Sequence, residues 1–155
     1  MTISVERATL ADAEKLVALQ IAAFHHDSVL YPQVEISGPP GYQSVEVMRE
    51  KITEAECYKI VDSGEIIGGI VLYIHKDDVY HLDLIFIDPA HHDRGIGTQA
   101  MNFLEKTYAS AKKWTLDTPK WAIRNQHFYE KFGYVNVREF VEDDGTPLIA
   151  YEKIM

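Results

Sequence analysis

The residues best placed to do chemistry lie in one stretch, Val79 to Thr107, which reads VYHLDLIFIDPAHHDRGIGTQAMNFLEKT. An apolar run, Leu84-Ile85-Phe86-Ile87, ends at Asp88-Pro89. A short polar loop then leads through Arg94 to Gly95-Ile96-Gly97 and a series of good helix formers. The first turn of a helix leaves backbone N–H groups without partners and carries a partial positive charge. Glycine at such a turn lets a bulky anion reach the main chain, because no Cβ stands in the way. The expected chemistry is the holding of a phosphorylated ligand between residues 92 and 98.

Other reactive side chains are less organised. Cys57 is the sole cysteine, so no internal disulfide can form, and its apolar setting predicts a small core hydrophobe. His25-His26-Asp27 and His91-His92 could in principle hold a metal, but they lack a ligand spacing such as HExxH, so no metal is expected. The first of these groups reads as the solvated end of a helix. Neither the G-x-S-x-G of a serine hydrolase nor the GxxxxGK[ST] of a P-loop is present.

The elements that position these residues follow from periodicity. Residues 2–7 alternate in polarity and predict a strand. Thr9 with Asp12 predicts a capped helix of about four turns, whose face is marked by Leu10, Ala13, Leu16, Val17, Ile21 and Phe24. Residues 28–43 hold Pro32, Gly38, Pro39, Pro40 and Gly41 and predict an irregular segment. Long loops in compact domains are often functional, so Phe24, Tyr31 and Tyr42 are candidates for a substrate wall. Ser44 caps a short helix to Glu54. Strands over 57–61, 66–75 and 79–87 form an antiparallel meander, with Gly68-Gly69 marking a bulge or a close backbone approach. After the glycine-loop helix come a strand over 114–118, parallel to the central one, and a helix over 125–132 stopped by Gly133. Strands over 134–141 and 148–154 close the chain around the turn Asp143-Asp144-Gly145.

Length and charge bound the answer. A chain of 155 residues with 46% hydrophobic side chains predicts one globular domain, residues 1–155. The net charge of −9 with no basic stripe argues against nucleic acid and is compatible with a cationic partner. The longest apolar run, Ile66 to Ile74, is too short to cross a bilayer, so no membrane partner is expected. Glu6, Asp12 and Glu14 near the N-terminus leave no basic-then-apolar leader, and a cytoplasmic protein is expected.

Gly95-Ile96-Gly97-Thr98-Gln99-Ala100 also matches G-x-G-x-x-A, a form of the dinucleotide fingerprint, and Asp117 lies 20 residues beyond Gly97, near where a ribose-binding acid belongs. An NAD(P)-dependent oxidoreductase is therefore one reading. Against it, about six residues separate Pro89 from the glycines, and too few elements follow Asp117 to complete that fold.

Residues 85–97, IFIDPAHHDRGIG, resemble the acyl-CoA-binding motif of the GNAT superfamily of N-acyltransferases, [QR]-x-x-G-x-[GA] after a strand ending in an apolar-x-Pro step. His92 stands where that pattern has Gln or Arg, which leaves the backbone cradle intact. Asn125 and the run Phe128-Tyr129-Glu130-Lys131-Phe132-Gly133-Tyr134 resemble the family's later motif. The resemblance covers essentially the whole chain. It implies an α/β fold in which a mostly antiparallel sheet holds one parallel central pair, splayed at the coenzyme site, with about four flanking helices.

The resemblance also implies a chemistry: transfer of an acetyl group from acetyl-CoA to a primary amine by direct attack in a ternary complex. The diphosphate of CoA would meet the loop His92, Asp93, Arg94, Gly95, Ile96, Gly97 and Thr98. The pantetheine arm would pair with the backbone of Phe86 and Ile87, and Asn125 would hold it by hydrogen bonds. Tyr129 would donate a proton to the departing thiolate. His81 would be a general base, with Asp83 orienting it or binding a cationic amine. The acceptor, a small-molecule or protein amine, has no transferable motif. Dimers are frequent in the family, so a homodimer is compatible, and a CoA-binding module without turnover is the remaining alternative.

Overall fold

The structure, a computed structural model, describes residues 2–155. Seven strands form one sheet: β1 (Ile3–Arg7), β2 (Glu56–Asp62), β3 (Glu65–His75), β4 (Val79–Ile87), β5 (Lys113–Pro119), β6 (Val135–Val141) and β7 (Pro147–Ile154). Their order is β1-β2-β3-β4-β5-β7-β6. Every neighbouring pair is antiparallel except β4 and β5, which run parallel. Helices α1 (Ala13–Leu30), α2 (Val45–Glu54), α3 (Ile96–Thr107) and α4 (Ile123–Lys131) flank the sheet. One parallel pair in a mixed sheet is not the parallel, doubly wound sheet that the dinucleotide fingerprint requires, so that reading lacks its structural context.

The middle strands are buried on both sides, which is why their sequences are nearly continuous in apolar residues. On one side Ile70, Leu72, Leu82, Trp114 and Leu116 pack with Ile96, Met101 and Leu104 of α3 and with Tyr129 of α4. On the other, Val71, Leu84 and Phe86 pack with Leu16, Val17 and Leu19 of α1 and Met48 of α2. Tyr80 and Leu82 therefore face α3, whereas Leu84 and Phe86 face α1. A bulge causes the reversal: Val71 opposes Leu84 and Leu72 opposes Leu82, so Asp83 is the extra residue. Gly68 and Gly69 are demanded by crowding. A Cβ on Gly68 would lie 2.3 Å from the Phe86 carbonyl oxygen, and one on Gly69 would lie 2.6 Å from the Phe86 ring.

β4 and β5 pair only from Val79–Lys113 to Leu82–Leu116. Beyond that point β4 stays with β3 as far as Ile87, and β5 stays with β7 as far as Pro119. The parallel pair thus parts in the middle of the sheet.

The first helix differs from the reading of its sequence. Leu10–Asp12 form a 3-10 turn behind the Thr9–Asp12 capping box, and Leu10 is left exposed. The α-helix then runs to Leu30 and takes His25-His26-Asp27 with it, so these three residues are not a solvated helix end. Tertiary partners replace the water. The His25 Nε2 lies 2.7 Å from the Tyr42 hydroxyl, and the His26 ring packs edge-on to His92. α4 begins at Ile123, which places Asn125 inside the helix, and Gly133 ends it with φ of +104°.

Candidate active site

The loop between β4 and α3 is set by local bonds. The Asp88 carboxylate accepts from the Ala90 N–H at 3.1 Å, and Pro89–His91 make one 3-10 turn. The His92 Nε2 lies 3.1 Å from the Ile87 carbonyl oxygen, so the side chain that replaces the family's Gln or Arg anchors the loop to the end of β4. Gly95, at φ of +73°, is the N-cap of α3 and has no side chain to cap it. Gln99 N–H returns to the Gly95 carbonyl. The N–H groups of Ile96, Gly97 and Thr98 have no such partner among the described residues, and the first turn carries no acidic side chain. The helix end is therefore electrostatically ready for an anion.

The two glycines do different jobs. Space beside Gly95 is open, and its requirement is the left-handed backbone. A Cβ on Gly97 would press on the Phe128 ring at 3.3 Å, so this glycine seats α3 against α4. Arg94 is exposed and makes no ion pair among the described residues. Asp93, also left-handed at φ of +62°, pairs with the guanidinium of Arg124 at 2.9 Å.

A cavity of about 440 Å³ opens where β4 and β5 part. Tyr129 of α4 lines it, with 9% of its surface exposed and no hydrogen bond to its hydroxyl among the described residues. Burial pushes its pKa up to about 12. Asn125 also lines the cavity, with its amide nitrogen 3.5 Å from the buried Thr118 hydroxyl. His81 and Asp83 both face this space but act in separate pairs. The His81 Nδ1 lies 2.7 Å from the Thr115 hydroxyl, and Asp83 accepts from the Lys51 ammonium at 2.8 Å. The orienting partner of His81 is thus Thr115, the residue beside it in the parallel register, and not Asp83.

Phe86 is buried towards α1, and Ile87 packs against the α3 side; the main chain of both belongs to the stretch of β4 that has left β5. Of the three aromatic candidates for a substrate wall, Phe24 lines the cavity. The Tyr31 hydroxyl accepts from the Arg124 N–H at 2.9 Å, and its ring packs on Trp121. Tyr42 is covered by Gly38, where a Cβ would lie 2.7 Å from its ring. Neither Tyr31 nor Tyr42 lines the cavity. Cys57 is buried in the α1 core, and burial pushes its thiol pKa up to about 12, so it stays protonated.

Nothing in the sequence marks several residues at the cavity as part of an acceptor site. Lys51 comes from α2, Asp27 from α1, Asp117 and Thr118 from β5, and Glu142 and Asp144 from the turn before β7. Burial pushes the Asp27 carboxyl up to about 6. Burial also raises Asp117, which His81 and Arg138 partly offset. Glu142 is raised by burial and by the nearby Asp144 and Asp117.

A mixed sheet that parts at its one parallel pair, with an uncapped helix start beside the gap, is the fold that the resemblance to the GNAT superfamily implies. Residues 22–134 match the acetyltransferase (GNAT) family, and the chain belongs to that family. That family is one of acetyltransferases. The structure of the PaiA N-acetyltransferase from Thermoplasma acidophilum, in complex with coenzyme A, superposes with a TM-score of 0.79 at 16% identity, covering 100% of both chains. An aminoglycoside 6'-acetyltransferase type Ii superposes with a TM-score of 0.74 at 23% identity, covering 99% of this chain and 97% of that one. In sequence, the uncharacterized protein YrkN of Bacillus subtilis (strain 168) is 33% identical over 95 residues, 60% of this chain and 51% of YrkN. The chain thus matches about half the length of this curated relative. Among the described residues, no helix is long and apolar enough to cross a membrane.

Proposed function

We propose that this chain moves an acetyl group from acetyl-CoA to a primary amine, with both substrates bound together at the parting of β4 and β5. The observation that supports this most directly is the parting itself. It leaves one edge of β4 without a strand partner, beside a buried phenol and an uncapped helix start. Unpaired backbone groups need a partner, and the amide-rich pantetheine arm can supply one. The N–H groups of Ile96, Gly97 and Thr98 take the diphosphate, and Arg94 is free to add a charge.

Acetyl-CoA supplies the acetyl group as a thioester. The amine nitrogen bonds to the carbonyl carbon, the C–S bond breaks, and one proton leaves nitrogen while one reaches sulfur. Tyr129 serves the sulfur. With its pKa near 12 it is fully protonated at neutral pH. A free thiol titrates at about 8.5, but the burial that raises the phenol also raises a thiol beside it, so the transfer stays only modestly uphill. At the other side, an alkylamine of pKa about 10.4 is neutral only about once in 2,500 molecules at pH 7, and a base helps. His81 fits that role in the tautomer whose Nδ1–H donates to the Thr115 hydroxyl, which leaves the Nε2 lone pair free.

Thermal-shift titration followed by a thiol-release assay tests the proposal. CoA is expected to raise the melting temperature while NADP+ does not, and thiol should appear when amines are added to acetyl-CoA and protein. Stabilisation by NADP+ alone would revive the oxidoreductase reading. Binding of CoA without thiol release on any amine would leave a binding module.

A further inference from the structure

We infer that the acceptor is a small polycation: an amine that carries at least one further ammonium group besides the one acetylated. This rests on the acetyltransferase reading above and narrows it. Five carboxylates line the 440 Å³ cavity, Asp27, Asp83, Asp117, Glu142 and Asp144, and the Lys51 ammonium is bonded to Asp83. The other four make no ion pair among the described residues. Arg138 acts on Asp117 only from a distance, since its guanidinium lies over the Phe140 ring.

Asp27 and Glu142 are half-buried and lose hydration, and Glu142 is also repelled by Asp117 and Asp144, which stay exposed beside it; a bound cation relieves both costs. Burial and mutual repulsion both raise Glu142, which is the mark of those costs. A second observation points to a ligand in the same space. The side chain of Tyr129, a residue 9% exposed, lines this cavity, and its hydroxyl has no hydrogen-bond partner among the described residues. A reacting nitrogen near Tyr129 and His81 would leave a second ammonium within the reach of Asp117 and the 142–144 turn. Phe24, Pro39, Pro40 and Trp121 supply apolar wall for the carbons between the charges. A volume of this size suits a small molecule, and an amino acid would bring its own carboxylate into a negative field.

The test compares spermidine, butylamine and glycine as acceptors at saturating acetyl-CoA, in the wild type and in a Glu142→Gln/Asp144→Asn double variant. The wild type should favour spermidine over butylamine by about 100-fold in kcat/KM and ignore glycine, and the preference should shrink as salt is raised. In the double variant the KM for spermidine should rise about ten-fold or more, and its advantage over butylamine should collapse. Calorimetry should show spermidine bound by the wild type and lost by the variant, without any turnover being needed. Equal use of butylamine, or a variant with unchanged spermidine KM and binding, would overturn the inference and leave acetyl transfer standing. Acetyl-CoA binding with no thiol release on any amine would instead remove the acetyltransferase reading, and this inference with it.

Discussion

At the α3 end of the gap the groups offered to a ligand are main-chain donors, those of Ile96, Gly97 and Thr98, held by a left-handed Gly95. At the opposite end, around His81, every group offered is a side chain, and these come from α1, α2, β4, β5 and the 142–146 turn. The first end is built from consecutive residues and asks little of their side chains. The second exists only when five distant segments meet. Under the proposed function, one chain therefore pairs a diphosphate site that tolerates substitution, with His92 anchoring the loop where the family pattern has another residue, and an acceptor site in which each residue is a separate commitment.

The largest effect should come from the residue that stands between the two ends. Tyr129→Phe removes a hydroxyl that makes no hydrogen bond among the described residues, so its melting temperature should stay close to that of the wild type. If the phenol supplies the thiolate proton, kcat falls by about 10²- to 10³-fold with little change in acetyl-CoA affinity. His81→Ala, measured beside it, should flatten the pH–rate profile. Wild-type turnover in the first variant, or an unchanged profile in the second, would take those roles away and leave both ends of the gap without chemistry between them.

A smaller effect should separate the ends. In Gly95→Ala the added Cβ meets open space, so packing is spared and only the left-handed backbone is penalised. That conformation costs an L residue about 1–2 kcal/mol, so the KM for acetyl-CoA should rise about 5- to 30-fold. The acceptor KM and the pH profile should hold. If the acceptor KM moves as much as the donor KM, the two ends are coupled and the contrast drawn above fails.

The same contrast explains which parts of the molecule the sequence discloses. The glycine loop, the parallel step from β4 to β5 and the Phe128–Gly133 run are local patterns, and they stand where periodicity and spacing place them. The extension of α1 through His25-His26-Asp27 is not local. Polar residues after an amphipathic stretch read as a helix end, and only the packing of Tyr42 and His92 against them shows otherwise. The bulge at Asp83 is equally hidden. It comes from the register of β3 on β4, and it breaks the two-residue alternation that would put Leu82 and Leu84 on one face. Lys51, Asp117, Glu142 and Asp144 have no common spacing at all, so nothing short of the fold could gather them.

The smallest expected effect is the most direct measure of the acceptor end, because it needs no substrate. Burial holds Asp27 at about 6, against about 3.9 for an unfolded chain. The folded state therefore keeps this proton more tightly than the unfolded state does. The resulting contribution to stability is full below pH 4 and is lost as the pH rises through 6. Asp27→Asn carries no charge at any pH and escapes that loss. The shift of about two pH units corresponds to about 3 kcal/mol, which partial exposure to solvent reduces to about 1 kcal/mol. For a chain of this size that is a gain of about 2–4 °C in melting temperature at pH 7.5, vanishing by pH 4. Spermidine should cancel or reverse the gain, since a bound ammonium stabilises the aspartate and has nothing to offer the amide. A variant no more stable than the wild type at pH 7.5 would mean that Asp27 is better solvated than its place in the wall implies, and the acceptor end would be less strained than the half-buried Asp27 and Glu142 make it.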